Sequence, residues 1–298
     1  MQLKHLKKSW TDKLFIVINT VILIFALLIV ALPILNVIAQ SLSSPTEVIA
    51  GRVSFWPRGF TLVAYKEIFR SSMLLTGYKN SIIYTFCGTI INVVMTVMCA
   101  YPLSRKDFVG RKQLMWLFVF TMIFSAPLIP TFINIRNFKM LNTIWAMIIP
   151  GAISAYNMVI ARTFFMNSIP DEMIEAADLD GASDMQILIK LVLPLSKAVI
   201  AVLVLFYAVG HWNSYFDAFI YLNSEDKLPL QVVLRNILAN AKMIEEMADA
   251  TVEQSERLAM VEVLRYAVIV FGSIPVLLLY PIVQKYFVKG IMIGSVKG

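Results

Sequence analysis

Charge is scarce in this chain: of 298 residues only 15% are Asp, Glu, Lys or Arg, whereas 59% are apolar and mean hydropathy is +0.75. That balance excludes an ordinary soluble globular domain. Histidine is limited to His5 and His211, and there is no HExxH or GxSxG string, which removes the usual equipment of a membrane protease or hydrolase. Cysteine is limited to Cys87 and Cys99, twelve residues apart on one expected helix. Such a spacing is about 18 Å of helical rise, too far for a disulfide, so both read as packing residues. Internal repeats and low-complexity tracts are missing too. Bases exceed acids by 26 to 19, but no nucleic-acid-binding motif accompanies them.

What is present is a series of apolar runs of the roughly 20 residues that a bilayer demands. Six spans are expected, at about 14–39, 80–102, 113–135, 144–164, 199–222 and 265–287. The fold class is therefore an all-α membrane protein, one transmembrane domain over residues 1–298. Lys4, Lys7, Lys8 and Lys13 precede the first run, which is too long for a cleaved signal peptide and reads as a retained anchor. Bases gather in the N-terminus, in the 103–112 loop (Arg105, Lys106, Arg111, Lys112) and in the tail (Lys285, Lys289, Lys297). The positive-inside bias then puts both termini in the cytoplasm. Prolines 33, 127, 130, 150, 275 and 281 mark spans and read as kinks.

Two longer segments, 40–79 and 223–264, fall outside the membrane. The first holds a short amphipathic helix beginning near Thr61, with Leu62, Tyr65, Ile68 and Phe69 on one face. Trp56 and Tyr65 suit the headgroup level. The second holds LPLQVVLRNIL and an acid-rich helical stretch, read either as a face for a water-soluble partner or as a solvated cap.

The most informative segment is the cytoplasmic loop 168–194, SIPDEMIEAADLDGASDMQILIKLVLP, with six acids between Asp171 and Asp184. Ser168 with Asp171 fits a capping box, and Pro170 suits a first turn. Asp171 and Glu172 favour the positive end of the helix. Ala176 and Ala177 keep one side slim for close approach. Gly181 is a natural C-terminal cap, and a second short helix from Asp184 ends at Pro194. The pair is shaped to be held by another protein, although an amphipathic loop without function would look similar.

The spacing Glu175-Ala176-Ala177, Gly181, Leu193-Pro194 resembles the EAA signature of the membrane subunits of bacterial ABC importers, with Leu191 where the family has Ile. Further strings carry the likeness along nearly the whole chain. They are NSIIYTF from Asn80, AYPLSRKDFVGRK from Ala100, LNTIWAMIIP from Leu141, GHWNSYFDAFIYL from Gly210 and the tail VQKYFVKGIMIGSVKG, with Ser295 where Ala is commoner. They resemble the carbohydrate branch, MalG-like, and within it the LplC-like oligosaccharide permeases, some of which serve acidic polysaccharide fragments.

The resemblance implies the type I importer permease fold and a sugar or oligosaccharide as cargo in a prokaryotic inner membrane. It implies four kinds of partner: a second, homologous permease, two ATP-binding subunits, an extracytoplasmic sugar-binding protein, and membrane lipid. Glu175, Ala176, Ala177, Asp178, Gly181, Leu191 and Pro194 would couple the loop to the ATPases. With no GxxxxGK[ST] string, ATP and Mg2+ belong to the partners and no cofactor belongs to this chain. It also implies that residues 223–264 reach toward the binding protein, although their acid-rich sequence matches no family pattern.

The fifth span is unusually polar for lipid: Tyr207, His211, Trp212, Asn213, Ser214, Tyr215 and Asp217. Ionisable groups in a span usually face the bundle interior or a wet cavity, so these are candidates for the sugar path. Polar packing between helices is the competing reading. An amino-acid or peptide permease, a membrane enzyme and a scaffold without transport are the alternatives; the WPRGFTLVAYKEIF string and the tail favour sugar.

Overall fold

The computed structural model describes residues 9–124, 126–247 and 252–294, so Lys4, His5, Lys7, Lys8, Ser295 and Lys297 lie outside the described residues. Among the described residues the chain is helical, without strands. In order come α1 (Trp10–Ser41), α2 (Pro45–Ile49), α3 (Val63–Arg70), α4 (Ser72–Ser104), α5 (Arg111–Ile123), α6 (Leu128–Asn137), α7 (Ile144–Ile148) and α8 (Ala155–Ser168). Then follow α9 (Asp171–Leu179), α10 (Asp184–Ile187), a π turn (Leu188–Val192), α11 (Leu193–Leu195), α12 (Lys197–Trp212), α13 (Phe216–Tyr221), a 3-10 turn (Glu225–Lys227), α14 (Leu230–Met247) and α15 (Val252–Gly294).

Local chemistry explains many boundaries. Ser9 and Asp12 form a reciprocal capping box at α1, and Ser71 Oγ accepts from the Leu74 N–H at α4. Gly110, at φ +85°, turns the chain into α5. Among the described residues, three helices are long and apolar enough to cross a membrane, or up to five if each bent pair counts as one. The 14–39, 80–102 and 265–287 runs lie inside α1, α4 and α15. The 113–135 run is divided into α5 and α6 near Pro127, and the 144–164 run is divided between α7 and α8 around Pro150 and Gly151. Pro33, Pro275 and Pro281 sit inside continuous helices.

The chain forms two compact units, whose boundaries fall between α3 and α4, inside α14 and inside α15. One comprises the chain up to Arg70 with Ile237–Phe271. Within it the 40–70 segment folds onto the end of α1: Asn36 Nδ2 donates to the Ser54 carbonyl at 2.7 Å, and the Ser41 and Tyr65 hydroxyls lie 2.9 Å apart. The α3 helix starts two residues later than expected and buries Ala64 and Ile68, while Leu62 and Phe69 stay largely exposed. Trp56 is 82% exposed.

The other unit, Ser71–Asn236 with residues from Gly272 onward, is organised around α4. Helices α8 and α12 pack along it, with Val97, Ala100, Leu103, Met158, Phe165 and Leu203 in the shared core. Polar contacts are spaced along α4 like rungs. Arg162 Nε donates to the Leu103 carbonyl at one end. Thr96 meets the Tyr207 hydroxyl at 2.6 Å midway. At the far end the Tyr84 hydroxyl donates to the Lys227 carbonyl, and Asn80 Nδ2 donates to the carbonyls of Asp226 and Leu228.

Candidate functional site

The 168–194 loop is built at the Ser104 end of α4. Ser168 is not a cap: it is the last residue of α8, because Phe165 and Ile169 are drawn into the core and carry the helix through it. Pro170 precedes Asp171, and α9 begins without a side-chain cap. Its other end closes as expected on Gly181 at φ +78°. The Gly181 N–H donates to the Asp178 carbonyl and the Ala182 N–H to the Ala177 carbonyl, which together make a Schellman stop. Ser183 and Gln186 form a capping box at α10.

Pro194 does not end the second helix. A proline there has no N–H for the Lys190 carbonyl, and the preceding turn widens into the π turn, with the Leu193 N–H donating to the Leu188 carbonyl. The axis then turns by 84° at Ser196 between the Asp184–Leu195 stretch and α12.

Ile174, Ile187 and Leu188 anchor the loop in the core, so its outer face is set. Glu175, Ala176, Asp178, Gly181 and Pro194 are exposed, whereas Ala177 and Leu191 are half-buried. Leu179 is 90% exposed beside these acids, a projecting apolar side chain that spacing alone did not single out. Nor does composition reveal how the loop is tied down. Arg105 Nη2 donates to Asp171 Oδ1 at 3.1 Å, and Lys106 Nζ donates to Asp171 Oδ2 at 2.7 Å. Arg105 is itself only 17% exposed. The Lys106 hydrogen bond, reinforced by both positive charges, holds the Asp171 carboxyl below its ordinary pKa, and Asp171 in turn raises that of Lys106. A cavity of about 220 Å³ lies beside this clamp, lined by Tyr101, Arg105, Phe108, Asp184 and Leu188.

The fifth-span residues separate into two sets. Tyr207, His211 and Trp212 are taken up by packing. The Tyr207 hydroxyl meets Thr96 and accepts from the Ser154 N–H, and Trp212 Nε1 donates to the Gly272 carbonyl at 2.9 Å. The His211 ring fits over Gly88, where an added Cβ would come within 2.4 Å of Nε2. Its Nε2 is 3.4 Å from Asn92 Oδ1, while Asn92 Nδ2 donates to the Gly151 carbonyl. The second set, Asn213, Ser214, Tyr215 and Asp217, sits at the break between α12 and α13, largely exposed, with Ser214 Oγ donating to Asp217. A cavity of about 580 Å³ between α4, α12 and α15 is lined by Ile82, Phe86, Val93, Val204, Pro275 and Leu279. Thr85 and Thr89 also line it, but the surface is almost wholly apolar and would leave most sugar hydroxyls without partners.

Long apolar helices, broken spans and an exposed EAA-type loop capped at both helices define a multi-pass membrane transport component. The chain belongs to the family described as binding-protein-dependent transport system inner membrane component, whose model matches residues 74–293. It is 42% identical, over 93% of its length and 96% of the relative's, to the polygalacturonan/rhamnogalacturonan transport system permease protein YtcP of Bacillus subtilis (strain 168). It is 38% identical to the protein LplC of the same organism, covering 91% of this chain and 90% of that one. Among solved structures, one chain of a bacterial ABC transporter involved in the import of the acidic polysaccharide alginate matches with a TM-score of 0.83 and 34% identity, covering 95% of this chain and 99% of that chain. Members of this family are transport components rather than enzymes, and they work in complexes with ATPase and binding-protein partners.

Proposed function

We infer that this chain is the membrane-spanning subunit of an ATP-driven importer of an oligosaccharide, delivered by an extracytoplasmic sugar-binding protein. The observation that carries the reading is the 42% identity, over 93% of the chain, to a permease named for polygalacturonan and rhamnogalacturonan. The alginate importer supports the same cargo class, and neither relative is named for amino acids or peptides. The cargo is accordingly an acidic oligosaccharide.

The chain crosses a prokaryotic inner membrane six times with both termini cytoplasmic. It pairs with a second, homologous permease, and two ATP-binding subunits hold ATP and Mg2+. Each ATPase grips a loop of the 168–194 type. Here Glu175, Ala176, Ala177, Asp178, Gly181, Leu191 and Pro194 form the coupling surface, and exposed Leu179 belongs with them as the apolar tip. Closure of the ATPases on ATP moves α9, and the Asp171 clamp passes that movement to the end of α4 through Arg105 and Lys106. Because α4 also holds Tyr207, Asn80 and Tyr84 contacts, displacement at one end reaches the other.

Gentle purification from native membranes, with partners identified by mass spectrometry, tests the assembly. An ATPase, a second permease and a sugar-binding protein are expected to co-purify. Recovery of this chain alone, in a detergent that preserves related complexes, would defeat the reading.

A further inference from the structure

The far end of α4 from the coupling loop supports a surface that the family assignment does not explain. There α13 presents Phe216 and Phe219, each 51% exposed, with Tyr215 beside them. The Phe219 N–H donates to the Tyr215 carbonyl, so both side chains fall one turn apart on the same side, and the Tyr215 and Phe216 rings meet edge-on at 6.3 Å. The opposite side of α13 is anchored, with Ala218 and Tyr221 buried and Tyr221 stacked on Phe132. Over the Phe219 ring sits the guanidinium of Arg235, 4.5 Å from its centroid. Arg235 comes from α14, whose first residue is pinned where the Leu230 N–H donates to Ser81 Oγ at 2.9 Å. The cation is thus carried by an element fastened to α4, and the ledge by one anchored against α6 and α7.

We propose that Arg235, seated on Phe219 above the Tyr215–Phe216–Phe219 ledge, is the residue by which this permease recognises the carboxylate of an acidic sugar unit. The proposal rests on the carbohydrate reading and adds the contact that separates acidic from neutral cargo. Pyranose rings present C–H faces that stack on exposed aromatic rings, and such a ledge ranks units by shape without regard to charge. A guanidinium fixed over one ring supplies what the ledge lacks: a planar fork of N–H donors matched to a carboxylate. Cation–π contact with Phe219 holds the fork in place beforehand, which lowers the ordering cost of binding. Among the described residues no carboxylate pairs with Arg235. Asp217, the nearby acid, lies two residues from Phe219 and therefore on the far side of α13, at roughly 100° of rotation per residue. Its carboxylate accepts from Ser214 instead of neutralising the ledge. The charge also fits the relatives, which are named for polygalacturonan and alginate, both polyanions.

The test uses the complete importer with its binding protein in liposomes, fed trigalacturonate or its fully methyl-esterified form. Arg235→Gln is expected to raise KM for trigalacturonate by about tenfold, the usual weight of a charge-assisted hydrogen bond. Maximal rate and the KM for the ester should stay as in the wild type, and Arg235→Lys, which keeps the charge but not the planar fork, should recover only part of the difference. Equal losses on both probes would mean that Arg235 serves packing or a lipid headgroup, and an unchanged trigalacturonate KM would mean that it touches no sugar; either overturns the proposal. A wild-type importer that moves neither probe is a separate outcome, and it would remove the acidic-oligosaccharide cargo along with this proposal.

Discussion

In the 168–194 loop the charged side chains stand in the open and the apolar ones anchor it; in the 207–217 stretch the polar side chains of the helix proper are turned inward against α4. Glu175, Asp178 and Leu179 face outward, and among the described residues only Asp171 of the loop's acids forms an ion pair, with Arg105 and Lys106. Tyr207, His211 and Trp212 instead spend their donors and acceptors on Thr96, Ser154, Asn92 and Gly272. An exposed polar surface is available to a partner, whereas a satisfied buried one specifies how helices register. Substitutions in the two regions should therefore fail differently, one in coupling and the other in folding.

The largest effect is expected at Gly88→Val. A Cβ there meets the His211 ring at 2.4 Å, and displacing that ring also disturbs Asn92. A loss of about 3 kcal/mol or more is expected for overpacking a tight helix contact, read as a lower unfolding temperature of the purified subunit in detergent. An unchanged unfolding temperature would place His211 away from Gly88.

Tyr207→Phe comes next. It removes the hydroxyl shared by Thr96 and the Ser154 N–H, and stranding those groups should cost about 1–3 kcal/mol. Substrate KM should not move. A KM shift without destabilisation would return Tyr207 to the sugar path.

Gly181→Val forces a β-branched residue into φ +78°, a strain of about 1–2 kcal/mol confined to the loop, since nothing crowds the site. Transport per ATP hydrolysed should fall while unfolding temperature barely changes, and Gly181→Asn should be milder. Equal transport by Gly181→Val would deny the loop its coupling role.

Asp171→Asn should leave folding nearly intact and loosen coupling. Its pH dependence has a definite sign. Asp171, depressed below its ordinary 3.8, contributes fully above that value and loses its contribution only as acid passes below it. Lys106, raised above its ordinary 10.5, contributes fully below that value and loses its contribution only as base passes above it. The difference between wild type and Asp171→Asn should therefore be flat between those limits and shrink with salt. A difference that varies across neutral pH would point to another group.

The smallest change is expected at Ser196→Ala. Its buried Oγ has no partner among the described residues, so removing it should shift stability by under about 1 kcal/mol in either direction.

Much of this was legible from residue order. The Gly181 stop could be read because a left-handed residue after an Ala-rich turn is a local requirement, and α1, α4 and α15 could be read because length and apolarity are local too. The end of α8 was misplaced because Phe165 and Ile169 are held by tertiary contacts that override the Ser168 capping preference. Pro194 was read as a stop because its missing N–H is local, whereas the π turn that accommodates it depends on Ile187, Leu188 and Val192 being buried together. Arg105 and Lys106 were legible as bases marking a membrane side, and their grip on Asp171 was not, because sixty-odd residues separate the partners.

Apolar run length and turn chemistry determined by themselves a helical membrane protein with a protruding loop, since each depends on neighbours within a few residues, and the resemblance carried by the EAA spacing pointed to a permease. Which polar groups of the fifth span are consumed by packing, and which aromatic and basic side chains gather at the far end of α4, was decided only in three dimensions. Hydrogen-bond satisfaction inside a bundle depends on the residue that faces a group across the interface, and that residue lies on another helix.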